Sequence, residues 1–263
     1  MSRGFANDYG LQIAKGEITG TTYVHKFGQA PDFDTADGEI TVWDGADDGS
    51  TNAMVYTYSS TADIGLMSSS AAGDGQTVEV QGLLDDGTLS TQTFTLNGTT
   101  DVDLSATGTN FERVFRLKNT GATDFAGDVY LRTDGSAQTG GVPDTANTVR
   151  LKARNGNNQT LMAIYTIPTG KTGYMTGFYA STEGAKKTAI YDIRLYARPS
   201  GGVFQLKNAQ DLSDEATSRF QHFYQVPQKF DAGTDLEMRA EIHTAAVTVA
   251  GIMAGFDLTL VDD

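Results

Sequence analysis

Three histidines, His25, His222 and His243, are the side chains of this chain that could exchange a proton near neutral pH without a perturbed environment. A nucleophilic site would need one of them beside an activated hydroxyl and an orienting acid. No Gly-x-Ser-x-Gly elbow is present, and Ser and Thr are so plentiful that proximity to a histidine singles out no residue. There is no cysteine, which removes thiol nucleophiles, disulfides and Cys-ligated zinc. Two acidic clusters, Asp32-Phe33-Asp34-Thr35-Ala36-Asp37-Gly38 and Asp44-Gly45-Ala46-Asp47-Asp48-Gly49, have the composition of calcium loops. The helix-loop-helix pattern demands a bidentate Glu at its twelfth position, and here that position falls on Trp43 or Val55. They read as solvated turns. Glycoside cleavage needs two carboxylates across a cleft, and the 33 acids offer no preferred pair. The sequence thus assigns no catalytic, cofactor-binding or metal-binding residue.

What it does offer is aromatic side chains in two groups. Tyr9, Tyr23, Phe27, Phe33 and Trp43, with His25 among them, are dense for a short segment of little regular pattern. Aromatic residues are enriched at interfaces, so these six are the candidate partner contacts of an N-terminal arm lying on its own chain or on a neighbour. The second group is Tyr174, Phe178, Tyr179, Phe223 and Tyr224. At strand spacing such residues belong to a core or an interface more often than to a sugar platform. Tyr179 and Tyr224 are the glycan-stacking alternative.

The elements that must carry these residues are strands. Thirty glycines and abundant Thr, Ser, Asp and Asn suit short strands joined by polar turns. Ile190-Tyr-Asp-Ile-Arg-Leu-Tyr-Ala-Arg198 alternates with period two, and Phe256, Leu258 and Leu260 share one face of a final strand that should be paired inside a sheet. Turn chemistry predicts hairpins at Asp85-Asp86-Gly87 and across Asn155-Gly156-Asn157, a turn at Asn97-Gly98, and a strand pair flanking Asn119–Gly121. Asn208–Ser218 is the one helical candidate. The fold class is all-β: an extended arm (1–49), a first β-unit (50–135, with strands at Met54–Tyr58, Thr77–Leu83, Ser90–Leu96, Arg113–Leu117 and Gly127–Arg132), a Gly-rich link (136–147), and a C-terminal sandwich of jelly-roll type (148–263).

Nineteen basic and 33 acidic residues give a formal charge of −14. Such a surface repels phosphate backbones and anionic bilayers, so nucleic acid and membrane are not expected partners. The first residues, MSRGFANDYGLQIAKG, lack the apolar core of a signal peptide, and the expectation is synthesis in the cytoplasm without export.

Three segments resemble a family of virion-associated proteins of tailed, often marine, bacteriophages. They are YVHKFGQAPDFDTADGEITVWDG (Tyr23–Gly45), TVEVQGLLDDGTLSTQTFTLNGTTDV (Thr77–Val102), and NNQTLMAIYTIPTGKTGYMTGFYAS (Asn157–Ser181) together with GGVFQLK, the Val226–Gly233 stretch and the terminal GFDLTLVDD. After T-V-W-D, where members of that family carry a longer loop, this chain has DGADDGSTN. The resemblance implies a structural, non-enzymatic protein on the virion, with the outer head surface favoured: a capsid decoration or cement protein whose partner is the major capsid protein and which self-associates, most simply as a trimer. The competing expectation is a head or tail fibre module that binds host glycans. An enzyme acting on envelope polysaccharide is a third.

Overall fold

The computed structural model describes residues 9–46, 54–107, 110–183, 189–213, 219–243 and 250–263. The chain is all-β, as its turn-rich composition predicts. Among the described residues one short α-helix, α1 (Tyr9–Ala14), precedes eighteen strands. The strands are β1 (Thr21–Phe33), β2 (Ile40–Thr41), β3 (Ile64–Ser69), β4 (Thr77–Leu83), β5 (Leu89–Thr95), β6 (Val102–Asp103), β7 (Arg113–Asn119), β8 (Val129–Thr133), β9 (Gln138–Thr139), β10 (Val142–Pro143), β11 (Val149–Ala153), β12 (Ile164–Thr166), β13 (Lys171–Glu183), β14 (Ile190–Arg198), β15 (Gln205–Ser213), β16 (Arg219–Phe230), β17 (Asp235–Ile242) and β18 (Ala250–Asp262).

Two sheets form the larger body. A front sheet has the order β1-β18-β13-β16, and a back sheet has the order β12-β17-β14-β15 with β2 also on β17. The pairing is nested: β1 with β18, β2 and β12 with β17, β13 with β16, β14 with β15. This is one long antiparallel ribbon rolled so that its halves face each other. Alternation decides which side chains lie between the sheets. In β14, Tyr191, Ile193, Leu195 and Ala197 are buried, and in β18 so are Ile252, Ala254, Phe256, Leu258 and Leu260. The terminal strand is central, between β1 and β13.

The predicted arm is therefore not separate. Its strand β1 runs beside β18 over Thr21–Phe33, and Trp43 is 1% exposed in the core. The chain leaves the back sheet just after Trp43 and returns at Met162, and these two residues are bridged. Between them lies an inserted unit of two small sheets, β11-β8-β3-β6 and β5-β4-β7. The Gly-rich segment 136–147 does not link two units. It contains the β9–β10 hairpin and connects β8 to β11, which pair with each other. Gly141 holds that hairpin in place, with φ of +85° and its carbonyl accepting from Ser68 Oγ at 2.9 Å.

Other local expectations fail for the same reason, that a turn does not choose its strand's partner. The Asn155–Asn157 turn joins β11 to a segment that pairs elsewhere, since β12 lies on β17. β7 and β8, on either side of Asn119–Gly121, belong to different sheets. Met54–Tyr58 forms no strand, with a bend at Met54 and Val55, and β3 was not anticipated. Asn208–Ser213 lies in β15 rather than in a helix, and the rest of that candidate, 214–218, lies outside the described residues. The Asp85-Asp86-Gly87 hairpin forms as predicted, with Leu83 opposite Leu89 and Gly87 at φ +75°.

Candidate functional site

The outer face of the front sheet brings together residues from both aromatic groups. In β1, Tyr23, His25 and Phe27 project outward at successive alternate positions. Asp262 N–H donates to Gly20 O at 2.8 Å, which sets the phase of the β1–β18 pair. His25 and Asp257 are then opposite one another at a non-hydrogen-bonded position, where side chains stand closest. Asp257 Oδ1 accepts from Tyr23 Oη and from His25 Nδ1, both at 2.6 Å. With that proton on Nδ1, Nε2 is left to accept from Tyr179 Oη at 3.2 Å.

Tyr179 stands on β13, two strands from His25, and reaches it only because the intervening residue is Gly255. A Cβ there would lie 2.5 Å from Tyr179 Oη and 2.4 Å from Lys26 O. The His25 ring is near-parallel to both tyrosines, at 5.8 Å and 15° from Tyr179 and 6.4 Å and 20° from Tyr23. Phe27 lies 5.6 Å away on the other side. The result is a plate of stacked rings tied by a phenol–carboxylate–imidazole–phenol chain, beside an open hollow of about 830 Å³ that Ser181, Gln221 and Arg219 also line.

The electrostatics do not activate a nucleophile. Burial, the hydrogen bond to Asp257 and its charge raise the Tyr23 phenol well above its ordinary range. Burial and the Asp257 charge push Tyr179 up to about 12. Both phenols stay protonated, so the chain resembles an acid–base–hydroxyl relay in connectivity but supplies a hydroxyl that holds its proton. What it presents is fixed aromatic faces, hydroxyl donors and one carboxylate oxygen, Asp257 Oδ2, to which no hydrogen bond is made among the described residues.

The remaining sequence candidates scatter. Tyr9 lies in α1, 63% exposed. Trp43 is enclosed against Tyr56, with ring centres 5.1 Å apart, and offers nothing to a partner. Phe33 closes β1, and its side chain lies outside the described residues. Tyr224 is on the opposite face from Tyr179, packed with Phe178 and His222, so the two do not form one sugar platform. Phe223 and Met253 do join the outer face, at 65% and 42% exposed. His243 approaches Asp192 at 3.5 Å.

Of the acidic clusters, Asp34 and Asp37 bond backbone N–H groups of their own turn. Residues 47–49 lie outside the described residues. Asp44 behaves differently. It is 0% exposed, its N–H donates to Leu161 O at 2.9 Å, and its Oδ2 accepts from Leu161 N–H at 2.8 Å. It clasps the two ends of the insertion. Burial pushes its carboxyl up to about 7, against the pull of Leu161 N–H and of Arg154, whose Nε is 3.8 Å from Oδ1. A second tie is Lys26, which donates from Nζ to Phe115 O of the inserted unit at 2.5 Å. Burial and the nearby Arg116 charge lower its amine to about 7.

Sequence reasoning missed a polar network on the outer face of the back sheet. Arg194 and Arg239 are directly opposite on β14 and β17, a repulsive pairing in isolation. Glu39 bridges them, at 2.7 Å to Arg194 Nη1 and 2.9 Å to Arg239 Nη1. Burial alone would raise the Glu39 carboxyl, but the bonds from Arg239 and Arg194 hold it below its ordinary value. Asp235 is bonded by Arg198, by Arg113 of β7 at 3.0 Å and by Thr166 Oγ1 at 2.6 Å. The signal was present as period-two charge, Asp192/Arg194/Arg198 and Asp235/Glu237/Arg239/Glu241, but the partners depend on strand order. This network fastens the inserted unit to the sandwich. Among the described residues no three His, Asp or Glu converge as metal ligands, and no helix is long and apolar enough to cross a membrane.

No protein-family model matches the chain, and no curated protein sequence does. Solved structures with a measured likeness include infectious bursal disease virus, Gt strain, at 11% identity over 92% of this chain and 71% of that one, with a TM-score of 0.25. The VP2 subviral particle of the same virus matches at 9% identity over 92% and 72%, with a TM-score of 0.24. At such TM-scores the likeness carries no argument about function.

Proposed function

We propose that this chain is a non-enzymatic virion structural protein of a tailed bacteriophage, a capsid decoration or cement protein that packs on the major capsid protein through the outer face of β1-β18-β13-β16. The rolled ribbon is read as a jelly roll, an architecture used by capsid and lectin domains alike, so fold alone is only an analogy. One observation carries the reading. Two segments of the family resemblance, Tyr23–Gly28 and Gly255–Asp263, are more than 220 residues apart in sequence yet pair in register as β1 and β18. Together they build the ring plate of Tyr23, His25 and Asp257. The attachment element is this face, with Phe223 and Met253 extending it, rather than a free arm. Rigid aromatic anchors with hydroxyl tips suit a surface that is desolvated on assembly. Self-association as a trimer on local three-fold axes would multiply such contacts.

Mass spectrometry of purified particles tests the reading. A copy number near that of the major capsid protein is expected, and a handful per particle overturns it. A Tyr23→Ala/Phe223→Ser chain should fold but no longer bind particles.

A second reading, adhesion to host glycans, draws on the hollow beside Tyr179, where Asp257 Oδ2 and Arg219 accompany the ring plate. Glycan-array binding lost in Tyr179→Ala would favour it. Tyr224→Ala should leave any such binding unchanged, because Tyr224 faces the other way.

A further inference from the structure

β1 is an edge strand. Among the described residues it pairs only with β18. The phase fixed by the Asp262–Gly20 bond turns the N–H and C=O groups of Thr22, Val24 and Lys26 toward β18. Those of Tyr23, His25 and Phe27 point the other way, and none of them has a hydrogen-bond partner among the described residues. Exposed strand edges are normally blunted by charge, proline or a covering loop, because they template pairing. This one is not. Tyr23 to Phe27 is instead flanked by a groove of about 500 Å³ between the sandwich and the inserted unit. Gln81, Leu89 and Arg116 of the insertion form its far wall.

The groove's charge is as distinctive as its shape. The chain as a whole is strongly acidic, at −14, yet among the described residues no carboxylate lines this groove. Lys26, Arg116 and Lys171 do. Lys171 is paired with Asp262 and Lys26 with Phe115 O, whereas the one side-chain hydrogen bond of Arg116 among the described residues is a long 3.5 Å contact to Gln159. Leu89, 44% exposed, supplies an apolar contact on the same wall.

We infer that the free edge of β1 is a strand-addition site for an extended acidic segment of a partner protein, which pairs with Tyr23, His25 and Phe27 and places a carboxylate against Arg116. Strand addition takes its affinity from main-chain hydrogen bonds and its selectivity from alternate side chains. About 14 Å of edge, the four steps from Tyr23 to Phe27 at roughly 3.4 Å each, offers three N–H donors and three C=O acceptors. The inference does not depend on the virion reading.

The test uses an acetylated, amidated heptapeptide alternating glutamate and valine, with a lysine/valine counterpart as control, and amide exchange of the full chain followed by NMR. Expected is binding of the glutamate peptide alone, with exchange at the Tyr23, His25 and Phe27 amides slowed about tenfold or more. Val24 and Lys26, already bonded to β18, should change little. Arg116→Glu, on an exposed residue, should weaken binding about tenfold without altering the exchange of the free protein. Equal binding of the lysine peptide, protection elsewhere, or no binding at millimolar peptide would overturn the inference. So would self-association of the chain that protects the same three amides, because it would make a second copy the occupant.

Discussion

Replacing Asp44 with Asn should make the protein more stable at pH 8 and remove one downward step in its stability between pH 4 and 7. The argument rests on where the carboxyl sits. It is fully buried, one oxygen accepts from Leu161 N–H, and the other has no hydrogen bond among the described residues. Its folded-state pKa is raised to about 7 from 3.8. A carboxyl with a raised folded pKa binds its proton more tightly in the native state than in the unfolded one. The Asp44 contribution to stability is therefore greatest below about pH 4, falls as pH rises through the interval from 4 to 7, and levels off above it. The interval corresponds to an upper bound of roughly 4 kcal/mol, at about 1.36 kcal/mol per pKa unit. Asn is neutral throughout, and its amide oxygen can keep the Leu161 bond. The gain at pH 8 should be about 1–3 kcal/mol once the lost attraction to Arg154 is allowed for. Urea unfolding of both proteins at pH 5 and pH 8, followed by tryptophan fluorescence from the adjacent Trp43, measures it. A D44N chain less stable than the parent at pH 8 would mean that the ionised carboxylate, held by Arg154, is the stabilising species, and would refute the reasoning.

Lys26 should show the opposite slope in another interval. Its amine is lowered to about 7, so the protein gains stability as pH rises from 7 toward 10, and Lys26→Met should flatten the thermal midpoint over that range. Gly255→Ala should destabilise by about 1–3 kcal/mol, because the new methyl would meet Lys26 O and Tyr179 Oη. It should also break the Tyr179–His25 contact, visible as a shift of the His25 imidazole resonances. Asp235→Ala should cost about 3–5 kcal/mol by removing the buried carboxylate that Arg198 and Arg113 share, leaving Arg113 with Glu112 as its one acidic partner among the described residues. Limited proteolysis should then release the inserted unit sooner than in the parent.

What was readable in the sequence was local. The β4–β5 hairpin follows from Asp85-Asp86-Gly87 because a two-strand turn encodes its own register. The buried face of β14 and that of β18 follow from period two alone. Strand partnership is not local. Ala153 and Ile164 flank a good turn, yet their strands lie in different sheets because burial on β8 and β17 outweighs the turn. β15 misled for a related reason. As an outer strand its residues are mostly exposed, so Gln205–Ser213 lacks the alternation that marks a half-buried strand. The candidate site divides the same way. Tyr23, His25 and Phe27 stood out by type and spacing, but Asp257 is 232 residues from His25 and nothing near it in sequence announces the pair. Asp44 was legible as an acid and not as a clasp, since its burial depends on Leu161 returning beside it.

The nesting of the ribbon has a mechanical consequence. Thr21 pairs with Val261, so the first and last strands of the sandwich begin and finish at the same end of one ladder. Tension applied between the two ends of the rolled ribbon would open that ladder one bond at a time, as a zipper. Tension spread over the outer face of β1, β18 and β13 would instead load many cross-strand bonds in parallel. A protein fastened by that face is held in the direction in which it is strong, with its peelable end carrying no load.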